Sequence, residues 1–177
     1  MTMHSYQHLI TLFNQLFEQS EQTILIAGGK EPLYLPKDNS NSLNRIIFTH
    51  DYYASALHEI AHWCIASLER RKLTDYGYWY NPDRGSLEDQ AAFEQAEAKP
   101  QAIEWIFSIA AGVRFQISAD NLAYNNEASL TFKQNIHVYA MQYLTVGLPA
   151  RAEKFKEGLL DLYQRRHLFN VDLFAEI

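Results

Sequence analysis

The 177-residue sequence predicts an α+β fold, a mainly helical single domain with a small N-terminal β-sheet. Three observations point there. Apolar residues recur at helical spacing over most of the chain, short apolar runs bounded by Gly and Pro are confined to its first quarter, and no linker or repeat divides it. With 47% hydrophobic residues the chain can build one core without disulfides, burying about 70% of its unfolded surface. One catalytic domain over residues 1–177 is the expectation.

The elements follow in order. Leu9, Leu12, Phe13, Leu16 and Phe17 keep a helical period around the polar His8, Gln15 and Glu18, which marks an amphipathic helix. Thr23-Ile24-Leu25-Ile26 reads as a short strand ended by a Gly28-Gly29 turn. Leu33-Tyr34-Leu35, bracketed by Pro32 and Pro36, and Arg45-Ile46-Ile47-Phe48 supply two more, with the polar loop 37–42 between them. From Tyr53 the apolar positions Tyr53, Leu57, Ile60, Ala61, Cys64 and Leu68 repeat near 3.6, with no Gly or Pro through Leu73, so a long, mostly buried helix is expected. Residues 75–85 are aromatic but punctuated by Gly77, Pro82 and Gly85, and read as a loop with a short extended piece. A second long helical region should span about 88–111, broken or kinked at Pro100 by the missing backbone donor. Two later helices are expected near 127–143 and 149–166, separated by Gly147.

Charge and cysteine content narrow the function. Fifteen Lys+Arg against 21 Asp+Glu give a net charge of −6, which argues against a generally basic nucleic-acid binder. Cys64 is alone, so no intrachain disulfide forms, which favours a reducing compartment. The N-terminal run MTMHSYQHLITLF is interrupted by His4, Gln7 and His8 and lacks a Lys/Arg cluster, unlike a signal peptide or a membrane span. A soluble cytoplasmic protein without nucleic-acid or membrane partners is expected, with a monomer as the default. Residues 81–104 hold Asp83, Glu88, Asp89, Glu94, Glu97 and Glu104 against Arg84 and Lys99, so 2 − 6 = −4 of the net charge lies there. Such a concentration favours a cation or an ammonium-bearing substrate, and a solvated helix face gives the same count.

The most informative stretch is His58-Glu59-Ile60-Ala61-His62, an H-E-x-x-H pattern on the expected buried helix. Residues four apart on a helix are separated by about 40° of rotation and about 6 Å of rise, so both imidazoles can reach one cation. Two partly buried, hydrogen-bonded histidines would give the same pattern without a metal. A complete site needs a third ligand, and Glu94, Glu97 and Glu104 on the second long helical region are the candidates. Glu97 and Glu104 share a face, and Pro100 frees the carbonyl of Ala96 beside Glu97. Two histidines and a carboxylate suit Zn²⁺, with Glu59 as the general base of a metallopeptidase. The same set suits Fe²⁺ in a facial triad that leaves positions open for dioxygen.

Longer stretches carry a more specific signal. YASALHEIAHWCIA from Tyr53, the pair Arg70-Arg71, DYGYWYNPD from Asp75, FEQAEAKPQAIEW from Phe93, and AAGVRF followed by ADNL resemble, in order, the bacterial elongation factor P hydroxylase family. EPLYLP from Glu31 and YLTVGLP from Tyr143 match more weakly. The chain departs from the family at Pro82-Asp83-Arg84-Gly85, where the family order is Pro-Asp-Gly-Arg, so no role is carried over to Arg84. The resemblance implies a metallopeptidase-like α+β fold around the H-E-x-x-H helix, with metal ligands at His58, His62 and Glu97. It also implies an iron-dependent monooxygenase that uses non-haem Fe²⁺ and dioxygen to hydroxylate the β-lysylated lysine of elongation factor P. The zinc-dependent metallopeptidase is the alternative, and a module that uses metal only for folding is the third.

Other residues divide between site and scaffold. Under the hydroxylase reading, Glu59 in the catalytic centre orients a ligand or binds the substrate amine. Tyr76, Tyr78, Trp79 and Tyr80 either wall a pocket for the methylene stem of the modified lysine or pack against the helix. Trp63 is expected in the core. Arg70-Arg71-Lys72 suit a helix C-terminus, and they or Arg165-Arg166 could dock an acidic partner. His4, His8, His50, His137 and His167 lack ligand spacing and read as surface or hydrogen-bonded residues, and Asp120-Asn121 as a turn.

Overall fold

Ser5 stands extended ahead of the first helix and its hydroxyl accepts from Gln7 N at 3.3 Å, satisfying one of the donors that a helix start leaves open. Helix α1 (Tyr6–Glu21) follows, with Leu9, Phe13 and Phe17 on its buried face. The computed structural model describes residues 4–77, 87–118 and 128–175. Strands β1 (Thr23–Gly29), β2 (Leu33–Leu35) and β3 (Asn44–Thr49) form one sheet in the order β1-β3-β2. The central strand β3 pairs parallel with β1 and antiparallel with β2. Helices α2 (Tyr53–Ile65), α3 (Leu87–Ala111), α4 (Leu130–Val146) and α5 (Ala150–Leu162) complete the α+β fold. No helix among the described residues is long and apolar enough to cross a membrane.

Three sequence expectations are corrected. Gly28-Gly29 does not end the first strand. The strand runs to Gly29 across a register shift, with Gly28 at φ 96° and its N–H donating to His50 O at 2.7 Å. The helix from Tyr53 does not reach Leu73 but stops at Ile65, leaving Leu68 exposed. Its last carbonyls are claimed from far along the chain: Arg151 Nη2 donates to Trp63 O, Cys64 O and Ala66 O at 3.0, 3.0 and 2.7 Å. The same guanidinium lies 4.8 Å from the Trp63 ring centroid, a cation–π contact that seats α5 on α2. Helix α3, finally, continues through Pro100 rather than breaking there.

Two apolar clusters meet along α3. One joins α1, the sheet, α2 and α5, with Trp63 packed edge-on against Phe13 and Phe17 and wholly buried, as expected. The other joins α3 to α4 and the C-terminal turn through Trp105, Ile106, Phe132, Ile136 and Phe174. Between 100 and 111 every residue of α3 except Ile109 is buried, so this stretch is hemmed in all round. Polar groups on it must find partners inside the protein.

Candidate metal centre

Helix periodicity brings His58 and His62 to one face of α2, while Ile60, Ala61 and Cys64 turn into the core. Packing of α2 on α3 then sets Glu97 against both imidazoles. His62 Nε2 lies 3.1 Å from Glu97 Oε1 and 3.1 Å from His58 Nε2, and His58 Nε2 lies 3.5 Å from Glu97 Oε2. Ligand bonds of about 2.1 Å require donor separations of about 3.0 Å at right angles and about 3.4 Å in a tetrahedron, and the separations here, with one Glu97 oxygen toward each imidazole, are of that size. His58, His62 and Glu97 are the cluster able to hold a metal ion among the described residues. The imidazoles keep 22% and 13% side-chain exposure while the carboxylate keeps 4%, so the centre opens on the histidine side.

The face of α3 that carries Glu97 also carries Gln101 and Glu104, one and two turns further on, all three buried. Glu104 Oε2 lies 2.8 Å from His58 Nδ1, on the ring edge opposite the triangle. That contact holds the ring with Nε2 turned toward the centre, as a carboxylate behind a ligating histidine does. Gln101 Nε2 reaches Glu97 Oε2 at 3.4 Å and donates to Ser118 O at 2.8 Å, while Ser118 N donates to Gln101 Oε1 at 3.1 Å. Gln101 and Ser118 went unnoticed in the sequence. The spacing Glu97, Gln101, Glu104 was the available signal, since i, i+4 and i+7 share a helical face.

The charges respond to this packing. Burial would raise the Glu97 carboxyl, but the His62 and His58 imidazoles and the Gln101 hydrogen bond bring it down to about 2. Burial would lower His58, but the Glu104 carboxylate, followed by Glu97 and Glu59, raises it to about 10. Glu59 moves the other way, its carboxyl raised by burial against the pull of both histidines. Its carboxylate makes no hydrogen bond or ion pair among the described residues.

Of the remaining candidates, Glu94 is drawn away from the centre, accepting from Ser129 Oγ and Gln90 Nε2 and thereby tying the start of α4 to α3. Tyr76 is buried and lines a cavity of about 200 Å³ with His62, Ile65, Ala66, Ser67 and Arg70. Tyr78, Trp79, Tyr80 and Asp120-Asn121 lie outside the described residues. The basic run is already engaged: Arg71 pairs with Glu21, Lys72 with Glu69, and Arg70 Nη1 donates to Tyr76 O. His4 and His137 are hydrogen-bonded to the carbonyls of Ala111 and Phe174, as expected of residues outside the site.

An α+β scaffold whose H-E-x-x-H helix meets a buried glutamate of a second helix defines a class of proteins with a two-histidine, one-carboxylate candidate metal site. Within that class the comparisons are specific. The family model for elongation factor P hydroxylase matches residues 12–174, and the chain belongs to that family. It is also 46% identical over 171 residues to the elongation factor P lysine hydroxylase of Haemophilus influenzae, covering 97% of this chain and 96% of that protein.

Proposed function

We propose that this chain is an iron-dependent monooxygenase that hydroxylates the β-lysylated lysine side chain of translation elongation factor P. Family membership across residues 12–174 carries the reading, and the His58, His62, Glu97 triangle supplies its chemical location. The donor set suits Fe²⁺ because two imidazoles and one carboxylate leave positions for a small co-substrate. Bound there, ferrous iron would supply dioxygen activation, one oxygen atom entering a C–H bond and the other leaving as water with two protons and with two electrons from a separate donor.

The chain's own residues do the rest. Glu104 and Gln101 hold His58 and Glu97 in place from behind, so that the ligating atoms need no reorganisation. Trp63, Phe107 and the neighbouring core close the rear of the site to water. Glu59, without a hydrogen bond or ion pair among the described residues, provides a negative charge for the substrate nitrogen. Tyr76, Tyr78, Trp79 and Tyr80 are assigned to the methylene stem of the modified lysine. The enzyme is expected to act in the cytoplasm, with a monomer as the default.

The test combines elemental analysis of anaerobically purified protein with mass spectrometry of elongation factor P from cells with and without the gene. Iron in the protein, and loss of one oxygen atom's mass from the factor when the gene is deleted, is the expected result. Zinc together with peptide cleavage would replace this reading with the hydrolytic one, in which Glu59 is the general base.

A further inference from the structure

Tyr76 is held in a conformation that its own backbone resists. Asp75 and Tyr76 are consecutive non-glycine residues in the left-handed region, at φ 49° and 57°, followed by Gly77 at φ 72°. Such strain persists only where surrounding contacts over-determine it, and it gathers at functional sites. The contacts here are specific. Asp75 Oδ1 accepts from Tyr34 N at 2.8 Å, and Tyr76 O accepts from Arg70 Nη1 at 3.0 Å. The Tyr76 ring stacks on Tyr34 with centroids 4.4 Å apart and planes 16° apart, and Tyr34 is itself anchored by its hydroxyl donating to Arg71 O at 2.7 Å.

All this positions a hydroxyl that has no hydrogen-bond partner among the described residues. Tyr76 is 5% exposed, and its phenolic oxygen is buried. A phenol is ordinarily paired when buried, so an unmade bond held in place by strain calls for an explanation. The residue borders a cavity that also meets His62, one of the candidate metal ligands. Among charged groups, the Glu59 carboxylate bears most strongly on it. An unpartnered phenolic oxygen offers an acceptor to a ligand N–H.

We propose that the Tyr76 hydroxyl is a substrate-binding group that accepts a hydrogen bond from an N–H of the lysine-derived side chain and thereby sets which carbon faces the metal centre. The donor has two sources, the ε-ammonium of an unmodified lysine or an N–H of its acylated form. The inference rests on the proposed substrate class but tests separately from it.

The experiment uses Tyr76→Phe, which keeps the ring stack and removes only the oxygen. The metal-loaded parent and variant are titrated with N-acetylcadaverine and with elongation factor P in unmodified and β-lysylated forms, and thermal midpoints and metal affinities are measured in parallel. The expected result is about tenfold weaker binding of the amine and of one form of the factor, the loss of one hydrogen bond. Metal affinity should be unchanged and the thermal midpoint equal or higher, because the buried oxygen has no partner among the described residues of the free protein. The form that weakens identifies the donor. Binding within twofold of the parent for all three probes overturns the proposal, as does a lowered midpoint, which would mean that the oxygen serves the fold. If the parent ignores elongation factor P yet binds the amine through Tyr76, the hydrogen-bonding role stands and the choice of substrate falls.

Discussion

His58 is held from both edges of its ring by two glutamates of the same helix: Glu104 Oε2 lies 2.8 Å from Nδ1 and Glu97 Oε2 lies 3.5 Å from Nε2. The carboxylate at Nδ1 leaves Nε2 as the atom that would ligate, so Glu104 would act on a metal through His58 rather than by binding it. Replacing Glu104 by Ala should weaken metal binding about 10- to 100-fold without removing a ligand. Competition against a chelator of known affinity measures this, with Glu104→Gln, which keeps a neutral hydrogen bond, expected in between. Unchanged affinity in both variants would show that packing alone orients the ring.

Loss of a ligand should be more complete. Glu97→Gln preserves shape and the contact with Gln101 but removes the charge that draws the two imidazoles together. Metal content and hydroxylation of elongation factor P are both expected to be abolished, as for His58→Ala and His62→Ala, while circular dichroism stays that of the parent. Full hydroxylation by all three variants would remove these residues from the centre.

The metal-free protein should show a pH dependence set by two groups. Glu97 is depressed to about 2, so its contribution to stability is complete above its ordinary value of 4.5 and is lost as pH falls toward 2. His58 is raised to about 10, so its contribution is complete below its ordinary value of 6.5 and is lost as pH rises through 10. Thermal midpoints of metal-free protein should therefore peak between these limits and decline toward pH 9.5. The alkaline decline should shrink in Glu104→Gln, which removes the main cause of the raised value.

The same shift makes metal uptake a proton-releasing event. Near pH 8 the metal-free His58 is protonated and must lose that proton to ligate. Calorimetric titration with a divalent metal in two buffers of different ionisation enthalpy should report net proton release. A heat independent of buffer would contradict it.

Arg151 makes a stability prediction far from the metal. Its three bonds to the terminal carbonyls of α2 and its contact with Trp63 are lost in Arg151→Ala. A loss of about 1.5–3 kcal/mol is expected, the range for hydrogen bonds to a charged group, read from the urea midpoint. Metal affinity should change little, because His58 and His62 are also positioned by the core beneath them.

Much of the molecule was determined by the sequence itself, because the relevant patterns are local. Periodicity marked the helices, and the short apolar runs marked the three strands. The spacing of His58 and His62 placed two imidazoles on one face before any neighbour was known. Longer stretches of residue identity named the family and, through it, Glu97. What only the tertiary structure decided lies in contacts between distant segments. Glu97 and Glu104 share a face, but seven residues carry them about 10 Å apart along the helix axis. The docking of α3 on α2 therefore gives one carboxylate to Nε2 and the other to Nδ1 of the same ring, a division that spacing alone does not contain. The end of α2 at Ile65 is likewise decided by Arg151, on a helix more than 80 residues away, which takes the carbonyls that further turns would have used. The strain at Tyr76 was invisible for the same reason, since the stack on Tyr34 and the bond from Tyr34 to Asp75 exist only once the sheet and the turn have met.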